Sequence, residues 1–468
     1  MTAGLGGEAL LLLALTTQAQ TPTDPNAPAA PPIVMPGVPA APASPVESPP
    51  APPAAPAPTA RPPPPAPTAD KPQGHSWEAP HYDEGFVLVS TPETDPLPYR
   101  LKLNHVSQFK YTNSLVVAPT FTTHLGVVKE VLRRNDIQLT RDVFYFSGYV
   151  FNRNLDFNIL LYTSSATLSA TAAGYVGYVF SKAFALRAGF FSLPSLRSMT
   201  GTYPFFPATD RSMAVNYMRP GFTQGIWADG ELYPGLSYIA MLGNSLNTLD
   251  IAANKIDFFF AGAASIWYDH NHFGKPWNDY EYHEAPAFRV GTAFTFARED
   301  RLSDLSTSSP ENNATFISDG TLLFETGSLA TGVTVSLANF YLSAVDVGIK
   351  YRGLAFNAEF YQRWLNHFTA DGPIPVNAMY DNGFEASLGY FMMRSELEGY
   401  VRSSLIHGPF GTGVEGAIGF HWYPFGTRMV WLSAEVITIR HSPYGSVLYV
   451  YSAGDTGVLF PAQFLVRF

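Results

Sequence analysis

Basic side chains recur at alternate positions of several segments in which the intervening residues are apolar. An alternation of period two places the side chains of one parity on one face of a strand. A face that gathers guanidinium groups can bind oxyanions, because the planar fork of N–H donors matches pairs of oxygen atoms. The residues on this face are Arg100, Lys102, Lys110, Arg187, Arg289, Lys350, Arg352, Arg363 and Arg402.

Further charged residues lie in a segment that lacks this alternation. Arg197, Asp210 and Arg211 fall within the link 192–212, and Arg219 follows it closely. A link of about 20 residues can fold back against the polar face of the strands and narrow the space beside it. The alternative is a solvated surface loop. We expect anions to contact Arg197 and Arg211 first if the link folds inward.

Carboxylates occupy the same polar face as the strand arginines. Opposite charges on neighbouring strands stabilise a sheet by pairing. We therefore expect most strand arginines to be held in ion pairs. The carboxylates concerned are Asp156, Glu359, Glu385, Glu396, Glu398, Glu415 and Glu435.

Other motifs in the sequence do not predict catalysis. Asp269–His272 and Glu281–Glu284 combine imidazoles with carboxylates, but their spacing fixes no metal geometry, and we expect a hydrated turn there. Gly411–Gly416 reads GxGxxG, yet it begins a strand instead of ending one at a helix, so dinucleotide binding is not indicated. A Gly-x-Ser-x-Gly nucleophile motif is absent from the sequence. We predict neither an enzyme nor a cofactor.

The elements that carry these residues are predicted to be strands from Tyr99 to Phe468. The segments 342–352 and 354–365 alternate strictly and are separated by a tight turn, which is typical of a hairpin. The alternation predicts an all-β fold, a 16-stranded antiparallel transmembrane β-barrel, wide enough to hold an aqueous channel. We expect strands near 100–111, 136–151, 154–163, 171–180, 183–191, 214–231, 236–243, 256–268, 287–298, 342–352, 354–365, 383–392, 396–404, 412–423, 428–439 and 456–468.

Loop lengths and two irregular stretches complete this pattern. Short turns alternate with long links such as 192–212 and 439–456, the asymmetry of outer-membrane barrels. The stretch 112–135 has room for another pair of strands, and 299–341 for some strand.

The composition agrees with a membrane barrel. The 468 residues include 46% hydrophobic but only 14% charged residues, whereas a soluble domain usually carries about 25% charged residues. No apolar run of 18 residues follows the N-terminal segment, which argues against spanning helices. The absence of cysteine excludes disulfides and thiolate sites, and the net charge of −10 argues against nucleic-acid binding.

The chain divides into three parts. Residues 1–20 are similar to a secretory leader with a short apolar segment, although no basic residue precedes that segment. Residues 21–98 form a proline- and alanine-rich arm, since 21 of the 40 prolines lie between residues 21 and 72, and we expect it to be extended or disordered and periplasmic. Residues 99–468 form the barrel.

The last predicted strand ends the chain with an alternating apolar row. Phe464, Val466 and Phe468 belong to this row, and Phe468 is the terminal residue. A terminal aromatic residue at the end of an amphipathic strand resembles the signal that the outer-membrane assembly machinery recognises. We expect these three residues to serve that role.

Several segments of the barrel resemble the phosphate-selective porin O and P family. Ala185–Pro194 is similar to the family strand that leads into an inward-folded third loop, and Ala208–Met213 with Arg219–Gly221 to the segment leaving it. Gly348–Leu354, continuing to Ala358–Tyr361, resembles the family's periplasmic hairpin. The resemblance implies a homotrimer of 16-stranded barrels that conducts anions, phosphate in some members. The arginine ladder and constriction lysines of the phosphate-selective members have no located counterparts here.

The sequence thus predicts a passive porin of the bacterial outer membrane for small hydrophilic solutes, with a preference for anions that rests on the resemblance. The expected partners are outer-membrane lipid, the assembly machinery, two further copies in a trimer and small anions as permeants. The alternative is a structural envelope protein whose arm contacts the cell wall.

Overall fold

The computed structural model describes residues 78–92, 94–166, 169–247, 261–301 and 315–468. The predicted leader and the proline-rich part of the arm lie outside the described residues. The strands are β1 (His81–Tyr82), β2 (Phe86–Ser90), β3 (Arg100–Val117), β4 (Thr120–Thr122), β5 (Val128–Glu130), β6 (Asn135–Val150), β7 (Asn152–Ser164), β8 (Ser169–Ser181), β9 (Phe184–Ser192), β10 (Phe222–Tyr233), β11 (Leu236–Gly243), β12 (Ala261–His270), β13 (Ala287–Asp300), β14 (Val335–Tyr351), β15 (Leu354–Ala370), β16 (Ala378–Met393), β17 (Leu397–Gly408), β18 (Gly411–Trp422), β19 (Val430–Arg440) and β20 (Gly457–Arg467).

Sixteen of these strands form one closed antiparallel barrel, as the alternation predicted. The barrel consists of β3 and β6 to β20, each paired with its neighbour in sequence. It closes where β20 pairs with β3, in a register that sets Phe464 opposite Phe109. Closure leaves none of the sixteen strands with an unpaired edge, which is what a strand in lipid requires.

The outer face carries an apolar belt with aromatic residues at both ends. Phe296, Tyr341, Trp364 and Tyr380 lie opposite one another on β13 to β16 and form a continuous aromatic row. Tyr351 lies ten residues beyond Tyr341 on the same face of β14. Ten residues span about 33 Å along a strand, and the usual tilt turns this into a belt about 25 Å tall. These features identify the barrel as a transmembrane one.

The two ends of the barrel, here called the loop rim and the turn rim, differ in the length of their connections. The loop rim carries 118–134, 193–221, 301–334 and 441–456, and the turn rim carries connections of a few residues such as 182–183 and 352–353. One turn-rim connection, 271–286, is much longer than the others. Among the described residues, no helix is long and apolar enough to cross a membrane.

Several strand boundaries differ from the prediction, most of all the starts of β10 and β14. The segment 214–231 was expected to be one strand, but its first part forms the helix α1 (Met213–Met218) and β10 begins only at Phe222. The Ser212 side chain caps this helix by accepting a hydrogen bond from the Val215 N–H at 3.2 Å. The strand predicted from residue 342 begins at Val335.

Two short hairpins lie beside the barrel. The predicted extra strand pair within 112–135 is present as β4 and β5, which pair only with each other. Part of the predicted arm also has regular structure, because β1 and β2 pair and β2 then pairs with β3 at the turn rim. The barrel sheet therefore continues into the residues just before Arg100.

Candidate functional site

The inner loop, residues 193–221, folds into the barrel lumen and is almost entirely buried. It is the third connection at the loop rim, so the position that the resemblance implied for an inward-folded loop is confirmed. The loop contains a short 3-10 helix (Arg197–Met199) and α1. A buried loop needs partners for its backbone polar groups. The barrel wall supplies them.

A row of glutamates on the wall binds one side of the inner loop. Glu359 on β15 accepts a hydrogen bond from the Arg197 backbone N–H at 3.1 Å, and Glu415 on β18 accepts one from the Met213 backbone N–H at 2.7 Å. Glu385 on β16 accepts the Ser212 hydroxyl proton at 2.5 Å. Glu435 on β19 accepts a hydrogen bond from the Thr209 hydroxyl. These carboxylates position the loop, a role that alternation alone did not reveal.

Two glycines on the wall leave room for what fills the lumen. A Cβ at Gly383 would lie about 3 Å from atoms of Tyr361 and Met218, so a side chain there would push α1 away from the wall. A Cβ at Gly348 would lie 2.5 Å from the Phe273 ring. Both positions face inward, opposite Tyr361 and Asn357 respectively. The missing side chains therefore allow close packing inside the barrel.

On the opposite side, the inner loop places Asp210 between two cations of the wall. The carboxylate accepts hydrogen bonds from Lys110 on β3 and from Arg141 on β6, the latter at 3.0 Å, and all three side chains are buried. Burial alone would raise the pKa of Asp210, but Arg141 and Lys110 more than offset it and hold that pKa well below its usual range. Asp210 is therefore ionised in the folded protein.

Two further arginines of the inner loop make this cluster strongly positive. Arg219 donates to the Tyr449 hydroxyl at 2.7 Å, and Arg211 lies over the Phe206 ring and donates to the Ser198 carbonyl at 3.2 Å. Burial, and then the charge of Arg219, lower the pKa of Arg211. Among the described residues, the Nε and Nη1 groups of Arg211 have no hydrogen-bond acceptor. The central cluster, as we name Lys110, Arg141, Asp210, Arg211 and Arg219, thus combines four cations with one carboxylate.

The wall arginines are paired, as the mixture of charges on the polar face predicted. Arg187 binds Asp156 and Asp229 on neighbouring strands, and Arg289 binds Asp346 and Asp269. Arg363 binds Asp381 at 2.7 Å and also donates to the Tyr217 hydroxyl. Arg402 lies between Glu415 and Glu435. Arg187, Arg289 and Arg363 are buried in these ion pairs. Their side chains therefore connect neighbouring strands of the barrel wall.

Lys350 and Arg352 lie near the turn rim in different surroundings. Lys350 is buried and donates to the Phe273 carbonyl at 2.7 Å. Arg352 was expected to face the lumen, but it occupies the turn between β14 and β15 with a φ of 47°. Its side chain is 57% exposed and lies 3.7 Å from Glu284. The alternation of β14 ends one residue earlier, at Tyr351, and for this reason the parity rule fails at Arg352.

The inner turn, residues 271–286, enters the lumen from the turn rim and contacts the inner loop. The Arg197 guanidinium lies 4.0 Å from the Trp277 ring centroid and donates to Asn357 at 2.8 Å. The Trp277 backbone N–H donates to the Phe205 carbonyl at 3.4 Å. Burial lowers the pKa of Arg197 to about 10. Two connections from opposite rims therefore meet inside the barrel.

The inner turn is hydrated at its ends, as expected, since His272, Glu281 and Glu284 are exposed, but its middle is buried. Phe273, Trp277 and Asn278 are buried, because the middle of this segment packs in the lumen. Asp279 pairs with His283 at 2.5 Å, and Glu281 pairs with Arg428. In the part of the chain that the structure describes, no group of three or more His, Asp or Glu side chains could hold a metal ion.

Arg141 and Tyr449 lie in the lumen but were not predicted from the sequence. Arg141 lies on β6 beside a register shift between Gln108 and Phe109, so simple alternation does not assign its face. Tyr449 belongs to the connection 441–456, whose aromatic residues are buried. The sequence signal for Tyr449 is the cluster of three tyrosines in this link, two of them beside Val450.

The expected assembly residues lie at the closing seam. Phe464 is exposed on the outer face of β20, paired with Phe109, and Val466 lies opposite Ser107. The Phe468 ring contacts Phe86 and His105, with centroid distances of 5.2 and 5.0 Å. Their recognition by an assembly machinery stays a prediction.

A cavity of about 710 Å³, here called the vestibule, opens beside the inner turn at the turn rim. It ends at the inner loop, where Tyr203, Pro204 and Phe205 form part of its lining. The rest of the lining comes mainly from β3, β6 and the C-terminus.

Comparison with solved structures supports the fold. OmpT of Vibrio cholerae expressed in the outer membrane matches with a TM-score of 0.51 at 8% identity, over 81% of this chain and 99% of that one. A trimer form of in-vitro folded OmpT matches with a TM-score of 0.50 at 8% identity, over 79% and 99%. An anion-selective porin from Comamonas acidovorans gives 0.48 at 9% identity, over 79% and 99%. The chain shares the barrel fold of OmpT. No protein-family model and no curated protein matches it.

Proposed function

We propose that this protein is a porin of the bacterial outer membrane that lets small hydrophilic solutes diffuse passively, with a preference for anions. The observation that carries the proposal is the central cluster inside a transmembrane barrel. Four cations and one carboxylate give the lumen beside the inner loop a net positive charge, and two Arg211 donors have no acceptor among the described residues. An anion that reaches this point would be attracted and hydrogen-bonded.

Location and assembly follow from the same reading. The barrel fold shared with OmpT expressed in the outer membrane supports that location, and the trimer form of OmpT supports a homotrimer. In the proposed orientation the loop rim faces the cell exterior. Residues 21–98 are then periplasmic, and residues 1–20 are a leader that is cleaved. Membership of the phosphate-selective porin family is part of the proposal, supported by the family-like segments on either side of the inner loop. The pore candidates are Arg187, Arg197, Arg211, Arg219, Arg289, Lys350 and Arg363.

The test is single-channel recording of the purified full-length protein in a planar bilayer under a potassium chloride gradient, followed by addition of phosphate. We expect an anion-selective current that millimolar phosphate blocks. The Arg211→Gln variant should lower the anion-to-cation permeability ratio roughly tenfold, because a unit charge within about 10 Å contributes on the order of 1–2 kcal/mol. Arg352→Gln, a change at the exposed turn, is the matched control and should leave the ratio unchanged.

Other results would contradict separate parts of the proposal. A weakly selective current that ignores phosphate would contradict the anion preference and leave a general porin. A folded, inserted protein that passes no current would contradict the channel itself. The burial of the inner loop would then favour a structural envelope protein, and cell-wall binding by residues 21–98 would be measured next.

A further inference from the structure

We propose that the vestibule binds an organic anion that carries an aromatic ring, such as an aromatic carboxylate, before or after its passage. This inference names a solute class for the proposed channel and therefore rests on the proposed function. Its evidence is separate from the central cluster, because the vestibule lies on the turn-rim side of the inner loop. The volume of about 710 Å³ falls within the range of small-molecule sites, roughly 300–1,000 Å³.

The first argument is the number of aromatic rings that line this part of the lumen. The interior of a water-filled barrel is normally polar. In the vestibule, Tyr149, Tyr175 and Phe205 are only partly buried and form part of the lining. Trp227 holds the Tyr175 ring edge-on, with centroids 5.3 Å apart. Fixed aromatic surfaces facing water provide stacking partners for a flat ring.

The second argument is charge. The lining includes five Lys or Arg residues against three carboxylate side chains and the terminal carboxylate of Phe468, an excess of one positive charge. Arg100 is also paired with Asp83, outside the lining. Two of the three carboxylates, Asp156 and Glu281, are bound by Arg187 and Arg428. The basic lining residues are Arg100, Lys102, Lys275, Arg428 and Arg467.

The third argument is the geometry at the inner end of the cavity. The guanidinium groups of Arg428 and Arg467 lie 5.3 and 4.7 Å from the centroid of the Phe205 ring. The Phe205 ring in turn stacks on Trp431, with centroids 6.1 Å apart. A guanidinium whose face lies against a ring can still donate the N–H groups of its edge to a carboxylate.

Ring and charge together select the solute class. A small inorganic anion would use the cations but leave the aromatic surfaces in water, and a neutral aromatic compound would use the rings alone. An aromatic carboxylate uses both, since its ring can stack beside Phe205 or the tyrosines while its carboxylate binds Arg467, with Arg428, paired with Glu281, close by. Phe205 connects the aromatic surfaces with the cations, because its ring contacts both guanidinium groups.

The test is isothermal titration calorimetry of the full-length protein in detergent with benzoate, acetate and benzyl alcohol. We expect benzoate to bind at least tenfold more tightly than either of the others, a difference of about 1.4 kcal/mol. Phe205→Ala and Arg467→Gln should each weaken benzoate binding roughly tenfold, in the range of one desolvated cation–π contact. Phe425→Ala removes an exposed phenylalanine near the same rim, outside the cavity lining, and should leave binding unchanged.

The outcomes separate this inference from the proposed function, because the titration needs no current. Benzoate binding that both vestibule variants weaken supports the inference even if the bilayer shows no conductance. Equal binding of benzoate and acetate, or benzoate binding that neither variant weakens, would overturn it. So would an anion-selective current in a protein that does not bind benzoate. Resistance of the folded barrel to unfolding in detergent verifies that each variant is intact.

Discussion

Individual charges in the lumen are stabilised by partners that approach from different elements. Asp210 of the inner loop is shared by Lys110 and Arg141 of the wall, and all three are buried. A buried ion without such partners would cost several kcal/mol. The same reasoning singles out residues whose pairing is incomplete. Arg211 is one, and Asp455 in the connection 441–456 is another.

Asp455 predicts a pH dependence of stability. Its Oδ2 accepts the Ser452 N–H at 2.6 Å, whereas Oδ1 has no partner among the described residues, and burial raises its pKa to about 7. An unfolded aspartic acid loses its proton near pH 4. The folded chain keeps that proton longer, so the free energy of unfolding should fall as pH rises from about 4 to about 7, by on the order of 2–4 kcal/mol.

Urea unfolding of the wild type and of Asp455→Asn, measured between pH 4 and 8, tests this expectation. The variant cannot titrate at this position, so its free energy of unfolding should lack this contribution. Identical pH profiles for the two proteins would show that Asp455 does not carry the effect.

At the scale of elements, the lumen is organised by two connections that belong to no strand. The inner loop enters from the loop rim, the inner turn enters from the turn rim, and they meet where Arg197 lies over Trp277. Neither connection is long enough to fold alone, so the wall must fix each of them. The glutamate row fixes the inner loop, and Lys350 and Asn357 accommodate the inner turn through its carbonyls.

The contact between the two connections predicts the behaviour of a tryptophan variant. Trp277→Ala removes a buried ring, 2% exposed, and the cation–π partner of Arg197, which should destabilise the fold by roughly 3–5 kcal/mol. With this packing lost, we expect the single-channel conductance to increase. Trp364→Ala, on the lipid-facing aromatic row, is the matched control and should leave conductance at the wild-type level. A Trp277→Ala channel with unchanged conductance would mean that the contact does not restrict the pore.

At the scale of the whole molecule, the fold was more predictable than the interior. Strict alternation on β14 and β15 defines a hairpin because one face must meet lipid, and repeating this reasoning gave all sixteen strands. Helix α1 escaped it because Val215 and Tyr217 favour strands by type, although Ser212 before them and Pro220 after them are helix-end signals. The burial of the inner turn depends on packing partners far away in sequence, which no local pattern encodes.

Candidate residues on strands with regular alternation were predictable, whereas contacts that depend on the inner loop were not. Alternation placed Arg187, Arg289 and Arg363 on the inner face, and the structure confirms that orientation with their pairing. Alternation does not assign a face to Arg141, which lies beside a register shift. It also does not predict that Asp210 contacts Lys110, 100 residues away in sequence. Such contacts are set by how the inner loop crosses the lumen.

The belt on the outer face predicts the cost of a charge in the membrane. Val347 lies between Tyr341 and Tyr351 and points outward, with 38% of the residue exposed. Val347→Arg should lower the free energy of unfolding in lipid vesicles by about 2–4 kcal/mol, the usual penalty near the bilayer midplane. Val127→Arg, in the β4–β5 hairpin, should change it little. Equal effects of the two substitutions would place the membrane boundary elsewhere.

The anchoring of the inner loop also has a mechanical consequence. The loop is tied to β3 and β6 through Asp210 and to β15, β16, β18 and β19 through the four glutamates. A closed cylinder of strands resists stretching well but flattens easily under sideways load, since flattening breaks no hydrogen bond between strands. Ties that run across the interior oppose this flattening. The inner loop therefore works as an internal brace, which keeps the cross-section of the barrel round when the surrounding bilayer compresses it.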